Sequence, residues 1–390
     1  MTANKILRNF LVYRNDDFYA IVPTICRANN GDLLVGFRRQ PNRKKDARLN
    51  LHIDTDSHVA LVRSRDQGQS WSEAQTLPRT PGVGQQSAQL TRLSNGRIIL
   101  GSFHWEVVEI ENEEIVEKHW FMRGYHRLQK NNPWKGIFKM TGAIICHSDD
   151  DGHTFTNWRP VTVPPPYIEG LCAIEGKIAE LPDGRLLLPV YAMTGRILSY
   201  PSLKSGFGYC ALCLVSDDGG ETFSFLAPVA QNPDPKGQGF DEHSFCVLAN
   251  GDLVSFHRAT GDPQDCVWLS RSVDQGKSWH LERLNGVIGH PTKGVRLSDG
   301  RVLMVYGYRH LPGAGVRMRI LDPDCRRIAQ TPEVIVRDDA LPAGHSVDEG
   351  ISFDFGYPDA VELEPGRVLV VYYFPDPVSD CRIEGSILSV

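Results

Sequence analysis

No run of the roughly 18 apolar residues that a membrane span requires occurs in the 390 residues of this chain. The opening Met1 to Phe10 also lacks the uninterrupted apolar segment of an export signal. A cytoplasmic protein with no membrane contact is the expectation. Positive charge is not in excess: 42 Lys and Arg stand against 47 Asp and Glu, a net charge of −5, so nucleic acid is not an expected partner. The nine cysteines are odd in number and follow no repeated spacing. Some lie inside apolar runs, as in Cys210-Ala-Leu-Cys213, which fits a reduced chain better than a disulfide framework. The 13 histidines include no His-Glu-x-x-His or other helix-spaced pair, and Gly313-Ala-Gly315 is too short for a nucleotide loop. Neither a metal nor a cofactor is expected. A basic run, Arg38-Arg39-Gln-Pro-Asn-Arg43-Lys44-Lys45, reads as a solvated loop. With 41% hydrophobic and 23% charged residues, the chain has the means to bury a large core.

Two internal repeats organise it. The first is a glycine turn that launches an apolar strand, at Asn30-Gly31, Asn95-Gly96, Asp183-Gly184, Asn250-Gly251, Asp299-Gly300 and Pro365-Gly366. Asn-Gly and Asp-Gly between apolar runs predict hairpins of type I′, whose two central residues both need positive φ. The second repeat is Ser-x-Asp-x-Gly-x-(Ser/Thr)-(Trp/Phe), beginning at Ser64, Ser148, Ser216 and Ser272, with a degenerate copy at Leu321-Asp-Pro-Asp324. Its Asp and Ser or Thr side chains are suited to bonding nearby amides while the aromatic packs beneath the turn. Six turn-launched strands with intervening aromatic-anchored hairpins predict an all-β fold, a six-bladed β-propeller of four-stranded antiparallel sheets. One domain over residues 1–390 is expected, closed by pairing of Glu384–Val390 with Phe10–Tyr13. The charged stretch around residues 104–141 predicts a long hairpin or lid.

The Ser-x-Asp-x-Gly-x-Thr-Trp repeats resemble the Asp boxes of the sialidase superfamily, and the six-blade count agrees. Asp boxes are turn devices and carry no activity of their own, so function rests on further matches. The family pattern Asn-Glu-x-x-x-x-x-Leu-x-Asp-Gly-x-Leu-x-x-x-x-Arg is matched by Asp241-Glu242 through Leu248, Asn250-Gly251 and Leu253 to Arg258. The resemblance makes Glu242 the partner that polarises the nucleophile and Arg258 a member of the arginine triad that holds the substrate carboxylate. Gly356-Tyr357-Pro358, ahead of a Gly366 turn and an apolar strand, makes Tyr357 the implied nucleophile, with Pro358 where the family has Ser. A neutral phenol suits an anomeric carbon that bears a carboxylate, where an anionic Asp or Glu would be repelled; such glycosidases depart from the two-carboxylate scheme.

In the family an aspartate ahead of the first Asp box donates a proton to the departing oxygen. His52-Ile-Asp54-Thr-Asp56-Ser57 lies there, with Asp54 the first choice and Asp56 the second. Strand alternation would set both, and an orienting His52, on one face. The family's first triad arginine is absent, because the matching position is Ile21 in Ile21-Val22-Pro23. Arg27, Arg38 and Arg39 are alternatives, and Arg309 is preferred to Arg317 and Arg319 as the third member. Tyr373 occupies the place of a family acid. Glu175, five residues before Glu180, partly copies the Glu242 pattern and reads as a secondary mouth residue; His243 joins the substrate-binding set. The leading expectation is a retaining exo-glycosidase that removes a terminal acidic sugar, either a sialic acid, another nonulosonate or a uronic acid, or else a neutral deoxy sugar. A propeller polysaccharide lyase acting on uronates and a non-catalytic carbohydrate-binding propeller are the alternatives. Carbohydrate is the expected partner in each case.

Overall fold

Between turns the sequence is dominated by short aliphatic and aromatic runs, such as Leu186-Leu-Leu-Pro-Val-Tyr191 and Arg367-Val-Leu-Val-Val-Tyr372. Runs of that kind suit strands buried on both faces. A computed structural model describes residues 5–46, 50, 54–108, 137–167, 172–194, 208–234, 237–340, 346–347, 350–351 and 355–390. It is a six-bladed β-propeller of antiparallel sheets.

Blade 1 comprises Phe18–Arg27, Leu33–Pro41, His58–Ser64 and Gln75–Thr76, from the axis outward. In blade 2 the inner position is shared by Val83–Gln85 and Gln89–Arg92, both paired with Ile98–Val108, and Ile137–Ser148 and Thr156–Val161 follow. Blade 3 is Ala179–Glu180, Leu186–Met193, Tyr209–Ser216 and Ser224–Ala230; blade 4 is Gly239–Val247, Leu253–Thr260, Cys266–Ser272 and His280–Ile288. Blade 5 is Thr292–Arg296, Val302–Tyr308, Gly315–Leu321 and Val334–Arg337. Blade 6 joins the chain ends: Gly356–Glu364, Arg367–Asp376 and Asp380–Ser389 are completed by Lys5–Tyr13. The closure has the expected partners, with Phe10 opposite Gly385 and Tyr13 opposite Ile383. The hairpin of blade 2 extends to Val108 opposite Ile137; most of the segment expected as a lid lies outside the described residues.

The core is a ring of six clusters, each shared by neighbouring blades. Strand alternation builds them. On the second strand of blade 6, Val368, Val370, Tyr372 and Phe374 pack against blade 5, while Leu369, Val371 and Tyr373 pack against blade 1. At about 25 cal/mol per Å² of apolar area, this double burial is the main source of cohesion in the ring.

The glycine turns differ from expectation. In the first, Gly31 N donates to Ala28 O at 3.1 Å and Ala28 N to Asp32 O at 2.8 Å. Only the glycine takes positive φ, +91°. The same pattern recurs at Gly96, Gly184, Gly251 and Gly300. These are type I turns closed by a left-handed glycine, the longer hairpin connection; the extra residue relieves Asn30 of the positive φ that type I′ demands. The Asp boxes form as expected. Ser64 Oγ accepts Gly68 N at 2.8 Å, and Asp66 Oδ1 accepts Ser70 N at 2.8 Å. Hydrogen bonds from Ser70 hold the Asp66 carboxyl down at about 2. Turns and boxes gather on one face of the ring and tie blade to blade, as where Asn29 N meets Asp151 Oδ1 at 2.8 Å.

Candidate active site

At the opposite face the innermost strands break their regularity. Register shifts fall between Ile21 and Thr24 in blade 1, Asp241 and Ser244 in blade 4, and Gly356 and Asp359 in blade 6. At these bulges Val22, Glu242 and Tyr357 have φ of 54°, 44° and 44°. Left-handed backbone at such residues costs about 1–3 kcal/mol each, and a bulge re-aims the side chain it carries. Here two of the three meet: the Tyr357 hydroxyl donates to Glu242 Oε1. Arg258, opposite Asp241 across the sheet, places its Nη1 at 3.1 and 3.0 Å from the two Glu242 oxygens. Arg309 lies 5.5 Å from the Tyr357 ring centroid and donates through Nη2 to Phe355 O at 2.9 Å and to Tyr373 Oη at 3.5 Å. Burial first, and then the charge of Glu242, push the Tyr357 phenol well above its usual value, with Arg258 and Arg309 opposing. The hydroxyl therefore keeps its proton until a base takes it.

Beneath this couple a polar network crosses the axis of the ring. Asp359, fully buried and two residues after Tyr357, accepts Thr24 Oγ1 at 2.9 Å and Ile25 N at 2.8 Å, and faces Lys177 Nζ at 2.7 Å and Lys293 Nζ at 4.0 Å. Burial alone would raise this carboxyl, but the two lysines hold it below its usual range. Lys293 Nζ also donates to Gln89 Oε1 at 2.7 Å, and Gln89 Nε2 to Glu175 Oε2 at 3.1 Å. The network is contributed by blades 1, 2, 5 and 6 together with the segment leading into blade 3.

Glu242, Tyr357, Arg258 and Arg309 thus come together from sequence-distant blades, with Glu175 close enough to feel the charge of Glu242. Asp54 is placed differently. It lies in a turn rather than a strand, so alternation does not govern it, and its side chain is 1% exposed. Arg43 grips it through Nε at 2.9 Å and Nη2 at 3.0 Å, and the same Nη2 reaches Asp56 at 2.6 Å. Among the described residues no hydrogen bond or ion pair joins Asp54 to Tyr357 or Glu242. His52 lies outside the described residues.

Three readings of the sequence are corrected. His243 is buried between blades 3 and 4, with Nε2 2.9 Å from Val190 O and Nδ1 3.0 Å from Ser255 Oγ; this bulge residue turns away from Glu242 into the packing between the blades. Arg27 sits at the turn end of its strand, bonded to Gln67 Oε1 at 3.0 Å and Leu363 O at 2.9 Å. The basic run is not a solvated loop: Arg38 is fully buried directly across from Ile21, Arg39 bonds His58 and Tyr13 at 2.9 Å each, and Arg43 closes on Asp54. Gln89, Lys177, Lys293 and Asp359 were missed. Their signal in the sequence is a polar residue inside an inner strand, or in the broken stretch leading into one, where an apolar one would be expected. Among the described residues no group of three or more His, Cys, Asp or Glu is placed to hold a metal ion.

A propeller whose bulged inner strands bring a Tyr and a Glu together, beside arginines of the second strand of blade 4 and the end of that of blade 5, defines a protein of sialidase-like fold. Residues 125–370 match the BNR repeat-like domain, and the chain belongs to that family. A protein of unknown function from Dyadobacter fermentans DSM 18053 is similar over the whole of both chains, with 32% identity and a TM-score of 0.84. The intramolecular trans-sialidase of Ruminococcus gnavus, in complex with oseltamivir carboxylate, shares the fold at 13% identity, with a TM-score of 0.60 over 95% of this chain and 94% of its own. A sialidase from Micromonospora viridifaciens is 27% identical over 182 residues, 45% of this chain and 24% of the relative. The match therefore spans about a quarter of that enzyme.

Proposed function

We propose that this chain is a retaining exo-glycosidase of the sialidase type, acting on a terminal acidic sugar. The observation that supports it most is the hydrogen bond between Tyr357 and Glu242, two side chains set facing each other by strained bulges in different blades. In the first step Tyr357 Oη bonds to the anomeric carbon and its proton passes to Glu242. The bond from that carbon to the leaving oxygen breaks, and the oxygen takes a proton from an acid, for which Asp54 is the candidate. Donation by Asp54 requires that it part from Arg43. Water then bonds to the anomeric carbon of the glycosyl-tyrosine and gives a proton to the Asp54 carboxylate, the bond from that carbon to Tyr357 Oη breaks, and Glu242 returns the proton to Tyr357. Arg258 binds Glu242 through Nη1 alone, which leaves Nη2 to pair with a sugar carboxylate, and Arg309 borders the same ring.

A carbohydrate-binding propeller without turnover is the second reading. It is favoured by Ile21 at the place of the first arginine and by the Arg43 grip on Asp54. The two are separated by turnover of aryl glycosides of sialic acid, deaminated sialic acid, glucuronic acid and deoxy sugars. Cleavage of one of them that is lost in Tyr357→Phe supports the glycosidase. Absence of cleavage across the set favours the binding propeller.

A further inference from the structure

The chemistry above leaves Glu175 without a task, although it is a buried acid beside the couple. It lies where the inner edge of blade 3 is interrupted, between the Ala173–Tyr191 bridge and Ala179–Glu180. Its neighbour Gly176 runs so close to blade 4 that a Cβ there would stand 2.0 Å from His243 O. The carboxylate accepts Gln89 Nε2 at 3.1 Å through Oε2, and Gln89 cannot turn its oxygen inward because Lys293 holds that oxygen at 2.7 Å. Glu175 Oε1 has no hydrogen-bond partner among the described residues. The charged groups that act on this carboxyl are Glu242 and Asp241 from blade 4 and Lys293 from blade 5, and its own charge bears on Tyr357 of blade 6 and Tyr191 of its own blade. Glu242 already spends both oxygens on Arg258 and Tyr357, so a second anion beside it is costly. Burial, and next the charge of Glu242, push Glu175 well above the usual carboxylate range.

We propose that Glu175 determines specificity in this site: as the neutral acid it donates a hydrogen bond from Oε1 to the carboxylate of an acidic sugar seated on Tyr357, and as a carboxylate it expels that sugar. The proposal rests on the reading of the site as one for an acidic glycone. It supplies by a protonated oxygen part of the recognition that the isoleucine at position 21 does not.

The test is calorimetric titration of the protein with N-acetylneuraminic acid, D-glucuronic acid and the methyl ester of each, from about pH 6 to about pH 9. Wild type should bind at least one free acid and lose about tenfold or more of that affinity toward the alkaline end, with its ester unaffected by pH. Glu175→Gln should bind the acid within about threefold of wild type at low pH and show no alkaline loss, while Glu175→Asp should retain the loss. The proposal is overturned if the glutamine variant keeps the alkaline loss, if the ester shows it too, or if wild type binds neither acid. Tyr357→Phe separates the two layers of the account. Unchanged turnover in that variant removes Tyr357 as the nucleophile and leaves the titrations standing, whereas a pH-independent wild type removes only the role of Glu175.

Discussion

The two faces of the propeller follow opposite rules. On the face that carries the glycine turns and Asp boxes, one local solution is repeated around most of the ring, with the same left-handed glycine and the same Ser, Asp and Thr bonds. At the other face the inner strands diverge: Val22, Glu242 and Tyr357 occupy like positions in three blades and share only their strained backbone. Repetition satisfies backbone groups and joins neighbouring blades. Departure from repetition concentrates an acid, a phenol and two guanidinium groups at one end of the axis. Substitutions on the first face should therefore cost stability without chemistry, and those on the second chemistry with less stability.

The largest effect is expected at the bulges. Tyr357→Phe should lower turnover by about 10³-fold or more, with a thermal midpoint close to that of wild type, because the ring packing is kept. Comparable losses of turnover and midpoint would erase the contrast between the faces. Next in size is the network beneath. Lys177→Met leaves Asp359 without its 2.7 Å partner, and removal of one member of a buried pair typically costs about 3–5 kcal/mol; denaturant unfolding measures it, and a loss under about 1 kcal/mol would mean that Lys293 suffices.

Acid should act through the blade interiors. Burial lowers His243 from 6.5 to about 4, and His58 likewise to about 4. Between these values the unfolded chain binds more protons than the folded one, so their contribution is complete above about pH 6.5 and is lost as pH falls toward 4. Unfolding midpoints at a series of pH values should decline over that window, and His243→Gln should flatten the decline. The smallest effect belongs to the repeated face. Ser64→Ala removes the acceptor of Gly68 N and should cost about 1 kcal/mol while leaving turnover of any cleaved glycoside unchanged.

The same contrast explains what could be read from the sequence. Turns and Asp boxes are local: Ser64, Asp66, Gly68 and Ser70 satisfy one another within seven residues, so the motif and the structure coincide, and the blade count follows. Even there the turn type was misassigned, because an Asn-Gly pair does not disclose the extra residue in the loop. The mouth is built from long-range pairs. Tyr357 and Glu242 were reachable through resemblance, but nothing near Arg43 indicates that it closes on Asp54, and alternation fails at a bulge, which is why His243 was assigned to the site and lies between blades 3 and 4. Lys177 and Asp359 are 182 residues apart in the chain and form an ion pair only because the ring closes.

The central claim is that Tyr357 is the nucleophile and that Glu242 carries its proton. It is tested most directly by intact-protein mass spectrometry of the protein quenched in acid after mixing with an aryl sialoside or aryl glucuronide. The account predicts a species heavier by one glycosyl residue, with the added mass on the peptide containing Tyr357, absent from Tyr357→Phe. Turnover without any such adduct, or an adduct on another residue, would contradict it.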